Sequence, residues 1–255
     1  MTVEASAPSF VQPVAMLLAA GRGERMRPLT DATPKPLLKV QGRPLLQHHL
    51  QALVAARVPR AVINTGWLGE QIPAYFGEVF APRAAGDEHG RLPLAYSSEP
   101  AQAYETAGGI SRALPRLGDM FWLAAGDVYA PDFHFPAAAA QAFAQSDELA
   151  RLWLVPNPAH NLRGDFGLSE DGKALDLPEG DTRPRYTYST IALLKAQLFA
   201  QPWFDVEPGN PQGLRAPLAP LLRRAMADGR VGASLYTGRW VDVGTPERLA
   251  QLNRD

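Results

Sequence analysis

Arg22, Arg25, Arg27 and Lys35 crowd the loop that follows a short apolar run in MLLAAGRGERMRPLTDATPKPLLKV, residues 16–40. Cations beside glycines are the raw material of a phosphate site. Successive free backbone N–H groups form an anion-binding concavity, and small residues let a ligand approach the chain. Two familiar phosphate signatures nevertheless fail. A P-loop requires G-x-x-x-x-G-K-[ST], and GRGERM at residues 21–26 has neither the second glycine nor the lysine in place. The dinucleotide fingerprint needs a third glycine where Met26 stands and an acidic residue closing a second strand about 20 residues on, and it has neither. The competing reading is an ordinary strand-to-loop turn with solvated charges. Pro34-Lys35-Pro36 weighs against it, because two prolines fix the backbone on either side of a lysine and restrict where its ammonium points.

Two carboxylates stand in comparable positions. Asp127 ends the apolar run WLAAGDV, residues 122–128, at the C-terminal edge of a strand, where ligands of open α/β sheets bind; a plain Gly-Asp turn reads the same way. Asp242 in RWVDVGT, residues 239–245, lies between Val241 and Val243, so it faces solvent on an alternating strand or has a bound partner. Thr106, Gly108 and Gly109 in YETAGGI, residues 104–110, fit a flexible helix start. The histidines show no metal-ligand spacing, and His48 and His49 are adjacent on a helix and face different ways. Cysteine is absent, which excludes disulfides, thiolate catalysis and thiolate metal sites.

The elements that must position these groups alternate. Residues 14–18 read as a strand buried on both faces, and residues 44–56 as a helix presenting Leu45, Leu46, His49, Leu50, Leu53 and Val54 on one side. Further strands are expected at 61–64, 94–97 and 121–125, with helices at 68–76 and 106–113. The second half predicts helices at 137–143 and 218–227 and strands at 152–155, 185–193 and 240–243. Strands alternating with helices imply right-handed crossovers and a mostly parallel sheet, with antiparallel additions later in the chain.

The 255 residues with 46% hydrophobic content fill a sizeable core, and no linker or fixed-period repeat divides them. The expected organisation is a flexible tail at 1–13 and a single domain at 14–255. A formal charge of -1 provides no global field for nucleic acid or an anionic membrane. No run of about 18 apolar residues and no signal-like start is present, so a cytoplasmic protein is expected.

The run LAAGRGERMRPLTDATPKPL resembles the signature loop of the sugar-phosphate nucleotidyltransferase family, whose members join a nucleoside triphosphate to a sugar 1-phosphate and release pyrophosphate. The resemblance implies a Rossmann-like three-layer α/β/α sandwich with a mixed, mostly parallel central sheet, the nucleotide-diphospho-sugar transferase fold. It implies that Leu18, Ala19, Ala20, Gly21 and Gly23 contact the nucleotide, that Arg25 and Lys35 hold phosphates, and that Asp127 and Asp242 bind Mg2+. Two carboxylates and phosphate oxygens suit magnesium, a hard ion that keeps several waters. Glu105, Thr106 and Gly108 fall in the family's base-contacting loop, where glycine commonly stands at the place of Glu105. Arg22 and Arg27 receive no role.

VINTGWLGEQI at 62–72, RGDFGL at 163–168, PLLRRAMADGRV at 220–231 and GRWVDVGTPERLA at 238–250 are similar to the subgroup acting on N-acetylmuramic acid 1-phosphate with UTP. There Asn64, Trp67 and Asp165 are placed in the sugar pocket, although Asn64 and Trp67 read equally well as capping or packing a helix. The subgroup has Ser-Gly-Ile where this chain has Ser189-Thr190-Ile191, and residues 83–92 look like a loop insertion. The implied partners are UTP and a sugar 1-phosphate acting on a monomer or weak homo-oligomer. Other pairings, GTP with mannose 1-phosphate or dTTP with glucose 1-phosphate, remain open. A non-catalytic nucleotide sensor is disfavoured because Arg25, Lys35, Asp127 and Asp242 are all retained, and hexapeptide repeats of an acyltransferase β-helix are absent.

Overall fold

The computed structural model describes residues 10–82, 90–100 and 102–254. β1 (Val14–Ala19) is followed by three single-turn 3-10 segments in the signature loop, the two-residue hairpin β2 (Lys39–Val40) and β3 (Arg43–Pro44), and α1 (Leu45–Ala55). β4 (Ala61–Thr65), α2 (Gln71–Phe76), β5 (Val79–Phe80), β6 (Leu92–Ser98), α3 (Glu105–Ala113), β7 (Met120–Ala125) and β8 (Val128–Tyr129) complete the first half. The second half contains α4 (Ala137–Gln145), β9 (Ala150–Val155), β10 (Phe166–Leu168), β11 (Ala174–Leu175), β12 (Arg185–Lys195), α5 (Ala219–Ala227), β13 (Val231–Leu235), β14 (Val241–Asp242) and α6 (Pro246–Leu252).

β1 lies between β4 and β7 and is parallel to both, with Leu18 opposite Asn64 and Ala125. β6 extends this parallel set beyond β4, and β5 closes the edge against β6 antiparallel. β12 runs antiparallel to both β7 and β9, and β13 is parallel to β9, so β12 is the reversed strand inside an otherwise co-directional row. β10 and β11 branch from the upper end of β12.

Alternation along β1 decides the layers. Ala15 and Leu17 face a cluster with Leu46, Leu50 and Leu53 of α1, Phe76 of α2 and Phe143 of α4. Met16 faces the opposite cluster, built with Ile110 of α3 and Leu221, Leu222 and Ala225 of α5. Buried strands with side chains on both faces need apolar residues throughout, which is why β1 and β7 read as unbroken apolar runs. The three-layer α/β/α arrangement is therefore present. A satellite cluster of Met26, Val40, Leu45, Tyr129, Val243, Leu249 and Leu252 joins the signature loop, α1, the β8–β14 ribbon and α6.

The expected tail at 1–13 needs a correction at its end. Residues 1–9 lie outside the described residues, but Gln12 is buried: its Nε2 donates to the Phe135 carbonyl at 2.8 Å, and its Oε1 accepts from Trp122 Nε1 at 3.2 Å. The chain is ordered before Val14 because Trp122 would otherwise bury an unsatisfied indole N–H. Of the insertion at 83–92, residues 83–89 lie outside the described residues and Leu92 already belongs to β6.

His49 on α1 is fully enclosed, and its Nε2–H donates to the Val128 carbonyl at 2.9 Å. Burial holds its pKa down at about 4, only partly offset by that carbonyl. The imidazole is neutral when folded, so the unfolded chain binds an extra proton between pH 6.5 and about 4, and stability present above pH 6.5 is lost as pH falls through that window. His49→Gln keeps a donor for Val128 and does not titrate. Urea unfolding is expected to show wild type losing about 3 kcal/mol relative to His49→Gln on acidification across the window; parallel pH profiles would contradict it.

Candidate active site

A cavity of about 820 Å³ opens at the C-terminal ends of β1, β4 and β7. The floor is prepared by glycines on both neighbours of β1. A Cβ at Gly66, just after β4, would lie 2.5 Å from the Ala20 carbonyl oxygen; one at Gly126, just after β7, would lie 2.9 Å from the Leu18 carbonyl oxygen. Both flanking chains therefore close tightly on the end of β1, and Gly126 N donates to the Leu18 carbonyl at 2.8 Å.

The signature loop is braced from within. Gly23 has φ +65°, and a Cβ there would crowd Thr30 and Lys35 at 3.1 and 3.2 Å. Its carbonyl accepts from the Thr30 hydroxyl and the Met26 N–H, each at 2.9 Å. By contrast, a Cβ at Gly21 meets nothing within 4 Å, so the room it leaves belongs to the cavity. Leu18, Ala19, Ala20, Gly21, Gly23 and Arg25 all line that cavity, with Arg25 exposed.

Lys35 is 7% exposed and its Nζ lies 2.7 Å from Asp127 Oδ2 across 92 residues of sequence. Asp242 lies nearby through the backbone: β14 pairs antiparallel with β8, placing Asp242 opposite Val128, and Val243 N donates to the Asp127 carbonyl at 3.1 Å. The two carboxylates thus grow from adjoining positions of one ribbon. Among the described residues no cluster of three or more His, Cys, Asp or Glu side chains is assembled for a metal. Oxygen donors from Asp127 and Asp242 are of the type a hard divalent ion takes, and such an ion would need phosphate and water for its remaining positions.

Several expected residues act differently from the expectation. Trp67 is absent from the cavity lining; its indole N–H donates to the Thr30 carbonyl at 2.9 Å, and the Arg22 guanidinium stacks 4.3 Å from the centre of its ring. It braces the outside of the signature loop because a tryptophan there satisfies a loop carbonyl and a cation together. Gly108 also does not line the cavity, because a Cβ would lie 2.4 Å from the Leu214 carbonyl oxygen: it is glycine for close packing. Ala19 lines the cavity, but its N–H donates to Asn64 Oδ1 at 2.6 Å and is not free for a ligand. Asp242 is set back from the lining, which reaches Gly244 instead. Asn64 and Asp165 line the cavity with their polar atoms largely engaged; Asp165 Oδ2 accepts from Tyr188 N at 2.8 Å. Glu105 and Thr106 line it.

Glu99 is a residue that sequence reasoning passed over. It is buried, accepts from Asn64 Nδ2 at 2.6 Å and from Tyr104 N at 2.8 Å, and burial raises its pKa against the lowering effect of those donors. Gly109 is glycine because a Cβ would lie 2.5 Å from Glu99 Oε1. A polar chain thus runs from the Ala19 N–H through Asn64 and Glu99 to the start of α3. Arg223 was also missed; it lines a second wall with Phe166, Leu218 and Leu222, 5.7 Å from the centre of the Phe166 ring and with Nε 3.0 Å from Asp176 Oδ1.

The sequence profile of the MobA-like NTP transferase domain matches residues 15–237, which contain the signature loop, Asp127 and the wall formed by Phe166, Leu218, Leu222 and Arg223. The chain belongs to this family. Within it, the chain is 44% identical to the N-acetylmuramate alpha-1-phosphate uridylyltransferase of Neisseria meningitidis serogroup B over 93% of its own length and 95% of the relative. It is 33% identical to the protein of the same name from Caulobacter vibrioides over 92% and 93% of the two lengths. The inositol-1-phosphate CTP transferase of T. maritima shares the fold, with a TM-score of 0.69 at 16% identity and 96% of each chain covered.

In this transferase domain, glycine is replaced at two places where the resemblance expects it, and both replacements keep the backbone that glycine adopts. Glu105 has φ +58° and Thr190 φ +63°, the latter where the β12–β9 register shifts between Tyr188 and Ala192. A side chain in the left-handed region costs about 1–2 kcal/mol, more for a β-branched residue, so the local geometry is imposed by the surrounding packing.

Asn64 provides the sharpest test of the polar chain. Asn64→Leu keeps the volume but strands the Ala19 N–H and one Glu99 oxygen, and is expected to lower unfolding free energy by about 2–4 kcal/mol at neutral pH. A loss below about 1 kcal/mol in denaturant titration would remove the chain's structural role.

Proposed function

We propose that the chain transfers the uridylyl group of UTP to N-acetylmuramic acid 1-phosphate, giving UDP-N-acetylmuramic acid and pyrophosphate. The observation that carries the reading is the convergence of the signature loop, Lys35 and Asp127 on one cavity, in a chain 44% identical to an N-acetylmuramate alpha-1-phosphate uridylyltransferase. The second wall supports the acceptor. N-acetylmuramic acid carries a lactyl ether with a methyl and a carboxylate, and Arg223 beside Leu218, Leu222 and Phe166 offers a cation and an apolar surface together.

A phosphate oxygen of the acceptor attacks the α-phosphorus of UTP in line with departing pyrophosphate. The nucleophile is already an anion, so no general base is needed, and catalysis rests on holding two repelling anions and neutralising charge. Arg25 makes no ion pair among the described residues and reaches the cavity, so it stabilises the leaving pyrophosphate. Lys35, fixed between prolines, shares its ammonium between Asp127 and a phosphate. Asp127 and Asp242 would hold a magnesium ion, which when bound would supply further neutralisation of phosphate charge. Thr106, Glu105 and Asp165 all line the cavity, and we assign the first two to the base and Asp165 to the sugar. The enzyme acts as one domain over 14–255, as a monomer or weak homo-oligomer, without nucleic acid. No helix among the described residues is long and apolar enough to cross a membrane. A cytoplasmic place in bacterial cell-wall sugar recycling follows from the UTP and the product.

Pyrophosphate release with UTP, dTTP, GTP, CTP and ATP against N-acetylmuramic acid, N-acetylglucosamine, glucose and mannose 1-phosphates tests the reading. Turnover is expected with UTP and N-acetylmuramic acid 1-phosphate; preference for another pair would replace the substrates and keep the chemistry. Arg25→Ala should fold normally and turn over at least about a hundredfold more slowly, as removal of one preorganised charge costs about 10² to 10³ in rate. Near-normal turnover would remove Arg25 from the reaction.

A further inference from the structure

Each of the two carboxylates proposed above to hold a metal is already paired with a cation from elsewhere in the chain. Lys35 Nζ lies 2.7 Å from Asp127 Oδ2, and Arg248 Nη1 lies 2.9 Å from Asp242 Oδ2. Arg248 also donates to the Asp242 backbone carbonyl at 3.2 Å, so its guanidinium grips the residue at two points. His160, on the loop after β9, brings Nε2 to 3.5 Å from the same carboxylate oxygen. Room for this arrangement is built in: a Cβ at Gly244 would lie 2.9 Å from Arg248 Nη1 and 3.0 Å from Asp242 Oδ2. Asp242 and Arg248 side chains are each 24% exposed, so the pair is only partly screened by water.

We propose that Arg248 is a placeholder counter-ion for Asp242, which makes divalent-metal binding conditional on the nucleotide. The inference rests on the reading of Asp127 and Asp242 as metal ligands. With Lys35 and Arg248 in place, the four side chains sum to zero charge, and a bare divalent cation meets two carboxylates whose attraction is already cancelled by adjacent positive charge. No third carboxylate stands in for the missing charge among the described residues. A triphosphate changes the balance: its oxygens complete the shell of a hard ion, and its negative charge gives Lys35 a partner other than Asp127. The coupling is reciprocal, so the metal strengthens nucleotide binding by the factor with which nucleotide strengthens metal binding. Arg248 is therefore a positioning residue, acting on Asp242 and not on substrate.

Mn2+ titration followed by electron paramagnetic resonance reads this without turnover, on wild type, Arg248→Gln, Arg248→Lys and Asp242→Asn, each free and with UTP. Wild type is expected to bind Mn2+ at least about tenfold more tightly with UTP present than the free protein and UTP bind it separately. Arg248→Gln should tighten Mn2+ binding to the free protein by about tenfold or more, because the competing charge is removed while a hydrogen-bonding side chain remains. Arg248→Lys, which restores a cation, should return binding toward wild type and provides the charge comparison if the glutamine variant folds poorly. Unchanged or weaker Mn2+ binding by free Arg248→Gln, or free wild type binding Mn2+ as tightly as the UTP complex, overturns the placeholder role. If Asp242→Asn leaves Mn2+ binding in the UTP complex unaltered, Asp242 is not a metal ligand, and the assignment beneath the inference fails with it.

Discussion

The C-terminal end of β1 must stay rigid while leaving backbone open to an anionic ligand, and most of the architecture around it follows from that constraint. A strand end buried between two parallel neighbours exposes N–H and C=O groups that need partners. β4 and β7 meet the need by ending in Gly66 and Gly126, which let their chains close on the Ala20 and Leu18 carbonyls. Asn64 takes the Ala19 N–H. Only after these groups are satisfied does the chain turn outward at Gly21, where open space begins. The rigidity of the floor is thus achieved by spending polar groups that a purely ligand-centred view would assign to the nucleotide.

The same logic extends to the phosphate and metal side. Met26, Val243 and Leu249 come from the signature loop, the segment after β14 and α6, and they meet in one small apolar cluster. Such a cluster is too small to drive folding, but it fixes three chemically active segments relative to one another. His49 adds a fourth link: Val128 follows Asp127 directly, and its carbonyl is held from α1 by a buried neutral imidazole. The Lys35–Asp127 pair is therefore approached by ordered backbone on each side, which is what preorganisation of charge requires.

How much was legible follows from whether the constraint was local. The long apolar runs of β1, β4 and β7 and the periodic stripe of α1 were readable because each encodes its own burial. β10 and β11 were not, because strands this short carry no periodicity and owe their pairing to the upper end of β12. In the signature loop the backbone cues were legible: Gly23 takes the positive φ that glycine adopts freely, and Lys35, held between prolines, is buried with Pro36. Trp67, for which a packing role was left open, and Gly108 lie outside the cavity lining, and their places were not legible for a shared reason: a residue beside a binding loop and a residue within it have the same neighbours in sequence. Glu99 had no signal at all, since its partners Asn64 and Gly109 come from β4 and α3.

Arg248 is different, because a sequence-level clue to it exists in hindsight. Thr245 caps α6 with its side chain accepting from Arg248 N, and Pro246 occupies the first turn, so Arg248 sits where the helix dipole disfavours a cation by about 0.3–1 kcal/mol. A residue placed against its local electrostatics needs a compensating partner, and the only acidic neighbours in the preceding strand and turn are few enough to name: Asp242 is the one six positions back. Local misfit of charge can thus point to a tertiary contact as directly as a motif points to a ligand. The same reasoning fits Glu105 and Thr190, whose left-handed backbones violate their own preferences and face the cavity. At these two positions the surroundings that overrule propensity belong to the cavity wall.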